Sequence, residues 1–399
     1  MTGRTLIVTG ANSGIGYEAA RYLCEGGNDV ILACRNEERG KEALNKIKSQ
    51  NPNALVTFMQ LDLASVESIK KFAEEFKTSG KKLHGLVNNA GVTQAFKDTT
   101  KQFTTDGYEL TMGTNHLGPF LLTHLLLDDL KKAAEDGGDV RIVNIASSLH
   151  NPATMKRMAK DVRDLDIEDL MYDKAGSFNG LQAYKDSKLA DIMFTYELAR
   201  RLEGTGVTVN ALNPGFIPAT GLNRNTSRGQ QFFLKYILGG ILRPIVKFPK
   251  TVKHGADCLC DLIAGETVKG VTGKYFDETK EGESSAESKD EEKQKRLWEV
   301  SGGLLKMEGF EPIELKKPEE PPVEEPAAET KAEEAPADGE TKEETKETAE
   351  EKKEEGETTK EDEDSKPKED SKPKRRKVRS PGMAANPDSR SSSEVCDIS

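Results

Sequence analysis

The stretch LIVTGANSGIG, at residues 6–16, decides the fold of this 399-residue chain. Its apolar start predicts a short buried strand, and the pattern that follows predicts a helix. A glycine turn between a strand and a helix is typical of a phosphate-binding site, because backbone N–H groups and the helix dipole attract an anion. Gly10 permits the tight turn, Gly14 lets the backbone approach a pyrophosphate, and Gly16 allows close packing of helix on strand. The Gly-x-x-x-Gly-x-Gly spacing departs from the commoner dinucleotide fingerprint, so the turn alone is a weak signal.

Apolar runs alternate with helical segments through the first 310 residues. This alternation predicts an α/β fold, in which residues 1–310 form a single Rossmann domain with a doubly wound parallel sheet. The runs that predict strands lie near residues 5–9, 30–34, 55–60, 84–88, 140–146, 207–212 and 272–276.

Tyr184 and Lys188 form the second informative pattern. They stand four residues apart in a helical segment, so both side chains project from one face. An ammonium a few ångströms from a phenol stabilises the phenolate and lowers the phenol pKa toward physiological pH, where proton transfer is efficient. The pair therefore predicts an acid/base catalyst; the alternative is an exposed Tyr beside a solvated Lys.

Further motifs follow one another in an order and at a spacing that match one protein family. Together with the glycine turn and the Tyr184/Lys188 pair, they make the chain resemble the short-chain dehydrogenase/reductases over about residues 5–309. The motifs are LDL at residues 61–63, NNAG at 88–91, TNHLG at 114–118, IVNIASS at 142–148 and PG at 214–215.

The resemblance implies catalytic roles for four residues. Tyr184 is the general acid in carbonyl reduction and the base in the reverse oxidation, while Lys188 lowers its pKa and holds the nicotinamide ribose. Ser147 hydrogen-bonds the reacting oxygen; Ser148 is an adjacent hydroxyl, but the spacing within the motif favours Ser147. Asn115 anchors a water-linked proton relay behind Lys188.

The resemblance also implies a nicotinamide dinucleotide and a set of residues around it. The hydride chemistry belongs to this cofactor, and the protein contributes orientation and a polar pocket. The implied cofactor-binding residues are Gly10, Asn12, Ser13, Gly14, Ile15, Gly16, Arg35, Asp62, Leu63, Asn89, Ala90, Gly91, Tyr184, Lys188, Pro214, Gly215, Ile217 and Thr220.

Arg35 bears on the choice between the two nicotinamide cofactors. In sites that prefer NAD, an acidic side chain near the end of the second strand accepts hydrogen bonds from the ribose 2′-OH. Here Cys34 and Arg35 occupy that end. A guanidinium suits a 2′-phosphate, which favours NADP(H). The alternative is a surface Arg that pairs with Glu37 or Glu38.

Two branches of the family resemble this chain. The chain is similar to retinol dehydrogenases at residues 9–16 and 189–202. It is similar to light-dependent protochlorophyllide reductases at residues 183–188, 214–222 and 296–301. Against the second branch, its cysteine just after the catalytic Lys is absent, and the first strand starts too near Met1 for a plastid transit peptide. We therefore expect a retinal-like or other hydrophobic carbonyl substrate.

A function of another class stays open at this point. An NADP(H)-sensing scaffold would use the same nucleotide fold while its tail recruits partners. A broken catalytic set would distinguish it, but Asn115, Ser147, Tyr184 and Lys188 are all present, which favours an enzyme.

Two segments are candidates for contacts outside the core. The segment between Ser148 and Tyr184 is long for the family and either covers the substrate pocket or is a surface excursion. Residues 231–248 are rich in apolar residues but contain Lys235 and Arg243, which favours an interfacial or substrate-gating helix over a membrane span. A homodimer contact or ordinary packing is the alternative for this second segment.

Composition changes after Phe310. Residues 311–399 contain no aromatic residue, and their 17 Lys/Arg against 28 Asp/Glu account for the whole net charge of −11. Such a segment buries too little apolar surface to fold, so we expect a disordered tail, acidic and then basic, with a partner that the sequence does not identify. The near-neutral remainder gives no reason to expect a nucleic-acid partner.

Two signals end the tail. Residues 372–379 resemble a nuclear-import motif, although a basic run that balances the preceding acids is the commoner explanation. The final residues, from Cys396, fit a prenylation box of the farnesyl type, with Asp397 as an imperfect match. A prenyl lipid and the basic residues 372–379 would together hold the protein at a cytoplasm-facing membrane. Without the lipid we expect a cytoplasmic protein. The five His and five Cys residues show no metal-ligand spacing, so no metal site is expected.

Overall fold

The protein is described here by a computed structural model, which covers residues 3–155, 162–217 and 250–315. Several sequence predictions lie outside these residues. They are Thr220 as a cofactor contact, the apolar segment 231–248, the disordered tail, the basic run 372–379 and the prenylation of Cys396.

A single sheet organises the described residues. Its strand order is β3-β2-β1-β4-β5-β6-β7-β8, and all neighbours are parallel except β7 and β8, which are antiparallel. The strands are β1 (Thr5–Thr9), β2 (Asp29–Cys34), β3 (Val56–Gln60), β4 (Gly85–Asn88), β5 (Val140–Ile145), β6 (Val207–Asn213), β7 (Lys274–Asp277) and β8 (Lys280–Glu281). The predicted α/β class with a doubly wound parallel sheet is confirmed; the short antiparallel β8 is an addition that the apolar runs did not predict.

Helices cover both faces of the sheet. They are α1 (Gly14–Glu25), α2 (Glu37–Gln50), α3 (Val66–Thr78), α4 (Gly118–Leu125), α5 (Leu127–Glu135), α6 (Gly180–Arg201), α7 (Val252–Ala264) and α8 (Glu291–Leu304). Short helical turns occupy Leu110–Met112, Pro152–Met155, Ser148–His150, Ile167–Asp169, Glu266–Val268 and Glu287–Lys289, and Gly113–Leu117 is a π-helical turn.

The core consists of two apolar layers because successive strand residues point to opposite faces. In β1, Ile7 joins the layer under α3, α4 and α6, whereas Leu6 and Val8 join the layer under α1, α2 and α7. All three are fully buried. Strands with apolar residues on both faces are typical of a parallel sheet between two layers of helices.

The fold continues to the end of the last described segment. The Ile313 N–H donates to the Gly303 carbonyl (3.0 Å), and Ile313 packs against the apolar cluster beneath α8. Ile313, near the end of the described residues, therefore still contacts the folded domain. Within the three described ranges, no helix is long and apolar enough to cross a membrane.

Candidate active site

The carboxyl ends of the central strands form one edge of the sheet, and the sequence-predicted residues gather there. The strand order reverses between β1 and β4, and in open α/β sheets this switch point opens a crevice at the carboxyl ends of the strands. The glycine turn follows β1, Arg35 follows β2, and Ser147 lies just beyond β5. The topology thus brings together motifs that are more than a hundred residues apart in sequence.

Tyr184 and Lys188 enter this crevice from α6. The Asn179 side chain accepts from the Gln182 N–H and begins the helix, so the pair stands one turn into a regular helix. Each residue is only 5% exposed. The structure therefore places the pair in a buried site, and the alternative of an exposed Tyr beside a solvated Lys does not hold.

Lys188 is held by two acceptors inside the protein. Its Nζ donates to the Ile145 carbonyl (2.7 Å) and to Asp191 Oδ2 (3.0 Å). Burial lowers the pKa of the ammonium, but the charges of Asp191 and Tyr184 together raise it above its usual value. Lys188 is thus a stable cation in the site.

Tyr184 differs from the sequence expectation in the net shift of its pKa. Burial raises this pKa above its usual value, while the Lys188 charge and a hydrogen bond with Ser147 lower it and the Asp191 charge raises it further. Lys188 acts in the predicted direction, but burial has the larger effect. The sequence pattern identified the pair and could not supply the depth at which it lies.

Ser147 is the hydroxyl that the structure places against Tyr184. Its Oγ also accepts from the Leu149 N–H (3.2 Å), which starts a short helical turn. His150 supports that turn: Nδ1 lies 2.6 Å from the Ser147 carbonyl, and Nε2 accepts from the Ser285 N–H at 3.1 Å. Because Nε2 is an acceptor, the imidazole proton resides on Nδ1 and is donated to Ser147. No sequence motif predicted this role for His150.

Asn115 lies in the π-helical turn Gly113–Leu117 and joins two elements of the site. Its Oδ1 accepts from the Val92 N–H (2.7 Å), and its Nδ2 donates to the Val92 carbonyl (2.9 Å) and to Ser187 Oγ (3.0 Å). A Cβ added at Gly91 would meet Asn115 Oδ1 at 3.4 Å and Lys188 Nζ at 3.9 Å. The loop after β4 and helix α6 are therefore locked together around Lys188.

The glycine turn has the geometry of an anion cradle. Gly10 and Gly14 have φ of +67° and +59°, which glycine adopts without strain. A Cβ at Gly16 would lie 2.5 Å from Asn89 Nδ2 and 2.8 Å from the Gly10 carbonyl. The Ser13 side chain makes no capping bond at the start of α1, whereas Asn36 caps α2. The first turn of α1 thus presents uncapped N–H groups, which fits the pyrophosphate of a dinucleotide.

Comparison with known proteins identifies the family. The sequence profile described as short chain dehydrogenase matches residues 4–157. Retinol dehydrogenase 13 from Homo sapiens is 40% identical over 306 residues, which are 77% of this chain and 86% of that protein. Retinol dehydrogenase 12 from Mus musculus is 37% identical over 303 residues, covering 76% and 86%.

The chain belongs to the short-chain dehydrogenase/reductase family. It is an oxidoreductase of the retinol dehydrogenase-like branch. A solved 3-ketoacyl-(acyl-carrier-protein) reductase from Brucella melitensis, complexed with NADH, superposes with a TM-score of 0.52 at 20% identity over 69% of this chain and 96% of that one, which shows the shared fold.

Several residues that the resemblance implied as cofactor contacts also hold neighbouring parts of the crevice together. Asn89 Nδ2 donates to the Thr9 carbonyl (2.8 Å), and the Ala90 N–H donates to Thr9 Oγ1 (3.0 Å), so the end of β4 is tied to the end of β1. Asp62 Oδ1 accepts from the Ala64 N–H (3.0 Å). Leu63 is buried, and a Cβ at Gly118 would lie 2.4 Å from its carbonyl oxygen.

The remaining positions that the resemblance implied follow the carboxyl ends of β1, β2 and β6. The Asn12 backbone lowers the pKa of the buried Cys34 thiol, next to Arg35, although burial has the larger effect and raises that pKa. Ile15 and Ile217 both approach Gly255 of α7, where a Cβ would meet them at 3.1 and 2.5 Å. Gly215, after the buried Pro214, has φ of +83°.

Arg35 is exposed at the end of β2. The Arg35 guanidinium forms no ion pair with any residue that the structure describes. Glu37 pairs with Lys41 instead. Within the described residues, the alternative in which Arg35 pairs with Glu37 or Glu38 is therefore not seen, and Arg35 is exposed at the end of β2.

A buried charged network adjoins the catalytic pair and was missed from the sequence. Lys185 is fully buried, and its Nζ donates to Asp186 Oδ1 (3.1 Å) and to the Arg163 carbonyl (2.8 Å). Asp186 also accepts from the Tyr172 hydroxyl (2.9 Å). Burial raises the pKa of Asp186 to about 6. These contacts fasten part of the long segment before α6 to the helix that carries Tyr184.

Proposed function

We propose that this protein is an NADP(H)-dependent reductase of lipophilic aldehydes or ketones, retinal-like compounds among them, that also catalyses the reverse oxidation. The observation that carries the proposal is the buried Tyr184 phenol, which interacts with the Ser147 hydroxyl and with the charge of Lys188 one turn further along α6. The names of the relatives support the substrate class.

The three side chains divide the chemistry at the substrate oxygen. The Ser147 and Tyr184 hydroxyls hold the carbonyl oxygen, and Tyr184 donates its proton to that oxygen as the C=O bond becomes an alcohol. The Lys188 ammonium stabilises the phenolate that remains. The nicotinamide, when bound, supplies the hydride to the carbonyl carbon. In the reverse direction the phenolate accepts the alcohol proton.

The raised pKa of Tyr184 suits the reductive direction. A phenol with a raised pKa is protonated throughout the neutral range, so the proton donor is ready at physiological pH. The rate of carbonyl reduction should therefore fall only as the pH rises through this pKa. Alcohol oxidation needs the phenolate, so its rate should increase over the same pH interval.

Aromatic surface beside Tyr184 supports a lipophilic substrate. The Phe96 ring centroid lies 6.3 Å from that of Tyr184, yet Phe96 is 38% exposed. An aromatic side chain buries a large apolar area when a ligand covers it, so the partly exposed Phe96 ring beside Tyr184 favours an apolar substrate.

Phe96→Ala is expected to raise KM for retinal by about 10-fold or more, because the substrate loses an aromatic contact. A short aldehyde that does not reach the ring should be affected less than retinal. Leu55→Ala is the control, since Leu55 is 57% exposed and precedes β3 at the opposite edge of the sheet. Steady-state kinetics with both aldehydes measure the effect; equal losses on the two substrates would contradict it.

Arg35→Asp is expected to lower kcat/KM with NADPH by about 10- to 100-fold, because a charge-assisted bond to the 2′-phosphate is replaced by repulsion. Turnover with NADH should change little. Lys48→Asp, which makes the same charge change in the last turn of α2, should leave the preference unaltered. An unchanged NADPH-to-NADH ratio in Arg35→Asp would remove the basis for assigning NADP(H).

The experiment for the function itself is NADPH oxidation by the purified full chain. Retinal, medium-chain and aromatic aldehydes and protochlorophyllide are offered in darkness and in light, with Tyr184→Phe in parallel. Dark turnover of apolar aldehydes that disappears in the variant supports the proposal. Light-dependent reduction of protochlorophyllide alone would transfer the protein to the other branch, and tight NADPH binding without turnover of any substrate would favour the NADP(H)-sensing scaffold.

A further inference from the structure

Asp191 is a buried carboxylate in the site to which the family motifs assign no role. It stands one turn beyond Lys188 on α6 and is 5% exposed. Its Oδ2 accepts from Lys188 Nζ at 3.0 Å. The two charged side chains form an ion pair that is shielded from water on both sides, with side-chain exposures of 6% and 8%.

This ion pair restricts the direction in which Lys188 can act. An ammonium has three N–H donors. The Ile145 carbonyl (2.7 Å) and Asp191 take two of them. One donor is left for the crevice, where Tyr184 and the edge of Gly91 lie. The carboxylate thus determines where the remaining N–H points.

The second carboxylate oxygen faces a histidine from another element. His116, in the π-helical turn, places Nδ1 at 3.7 Å from Asp191 Oδ1 and is itself fully buried. His116 Nε2 lies 2.9 Å from Ser301 Oγ on α8. The titratable groups that the structure places against Asp191 are therefore Lys188 and Tyr184 on its own helix and His116 on the adjoining turn.

We propose that Asp191 is a positioning residue of the reaction, which anchors the Lys188 ammonium between itself and the Ile145 carbonyl and directs the remaining N–H into the crevice. This inference rests on the proposed function only for its catalytic consequence. The ion pair and its effect on Tyr184 belong to the protein with or without a substrate.

Removal of the Asp191 carboxylate should shift the pKa of Tyr184 in a defined direction. A negative charge beside a phenol disfavours the phenolate, and Asp191 accordingly raises the pKa of Tyr184. Asp191→Asn keeps the size of the side chain and removes the charge, so the apparent pKa of Tyr184 should fall by about 0.5 to 1 unit. The alkaline loss of carbonyl reduction and the alkaline gain of alcohol oxidation should both move to lower pH.

The first measurement needs no substrate. Tyrosinate absorbance is titrated in the full chain and in Tyr184→Phe, and the difference isolates Tyr184; the same difference is measured in the Asp191→Asn background. The second measurement is the pH profile of kcat/KM for reduction. Asp139→Asn is the matched control, because Asp139 is a similarly buried carboxylate that pairs with Arg4 and Arg141 just before β5, at the opposite end of that strand from Ser147.

Asp191→Glu separates charge from position. It keeps the carboxylate but moves it by about one methylene, so the Tyr184 transition should stay near that of the wild type while kcat falls about 10-fold. A downward shift in Asp191→Asn that is absent from Asp139→Asn, combined with a lower kcat in Asp191→Glu, supports the proposal, because loss of charge alone explains the shift but not the lower kcat. An unshifted Tyr184 transition in Asp191→Asn would overturn it. If Asp191→Asn does not fold, Asp191→Glu decides, and unchanged kcat at every pH would overturn the positioning role.

The two proposals fail in different ways. If no carbonyl compound is reduced, the proposed function is wrong, but the Tyr184 titration still reports on Asp191. If reduction is observed and the titration does not respond to Asp191→Asn, the function stands and the positioning role is rejected.

Discussion

Tyr184→Phe is expected to lower kcat for carbonyl reduction by about 10²- to 10⁴-fold, the range that a positioned general acid contributes. The substitution removes one hydroxyl and keeps the ring that packs beside Phe96. The anion cradle and Arg35 are untouched, so NADPH affinity should stay within a few-fold of the wild type. Steady-state kinetics and NADPH binding, measured on the same preparation, separate these two effects.

A matched control for this variant lies on the same helix. Tyr196 is partly buried on α6, and its hydroxyl lies 2.7 Å from Ser284 Oγ, outside the site. Tyr196→Phe removes an equivalent hydroxyl and should leave kcat nearly unchanged. If Tyr184→Phe kept more than about a tenth of wild-type kcat, the proton donor would have to be another group.

Gly16→Ala is expected to weaken NADPH binding by about 10- to 100-fold, the cost of forcing one methyl group into a packed site. The added Cβ would lie 2.8 Å from the Gly10 carbonyl, which belongs to the backbone of the cradle itself. It would also lie 2.5 Å from Asn89 Nδ2, and that amide is held by its bond to the Thr9 carbonyl. The turn must therefore shift to admit the methyl group. Calorimetric titration with NADPH measures the loss.

Gly26→Ala is the control for the glycine substitution. Gly26 lies at the other end of α1, where a Cβ would make ordinary contacts at 3.4 Å or more. Its NADPH affinity should equal that of the wild type. Wild-type affinity in Gly16→Ala as well would mean that the turn after β1 does not hold the nucleotide.

The sheet could be predicted from the sequence because its signals are local. Each buried strand is an apolar run of a few residues, and the seven predicted runs coincide with β1 to β7 to within about two residues. The strand β8 has only two exposed residues, Lys280 and Glu281, and its pairing with β7 depends on a turn rather than on apolar pattern. Nothing in the local sequence distinguishes it from a loop.

Some contacts of the site could likewise be predicted from local spacing, whereas others depend on the tertiary fold. Tyr184 and Lys188 share a helix face, so their meeting follows from spacing. Asp191 lies at the i,i+3 position from Lys188, and the same rule would have found it. The His150 ring contacts the nearby Ser147 carbonyl, but its other nitrogen accepts from Ser285, 135 residues further along the chain, and only the fold brings these two segments together.

The depth of the site explains the one electrostatic expectation that needed correction. Spacing shows that Lys188 is near Tyr184 and hence that it lowers the phenol pKa. Burial, which raises that pKa by more, is a property of the packed helix and of the layers around it. The helical pattern around Tyr184 also predicted a helix at Lys185 and Asp186. The burial of this ion pair depends on packing against the segment before α6, so the local pattern could not predict it.

The fate of the hydride is the most direct test of carbonyl reduction by this protein. Purified full chain is given NADPH that carries deuterium at both C4 positions of the nicotinamide, with retinal or a medium-chain aldehyde in darkness, and the product is examined by mass spectrometry. We expect an alcohol that carries one deuterium on the carbinol carbon, formed in step with NADPH consumption and at least about 100-fold more slowly with Tyr184→Phe. Unlabelled alcohol, or equal product from Tyr184→Phe, would contradict a carbonyl reductase centred on Tyr184.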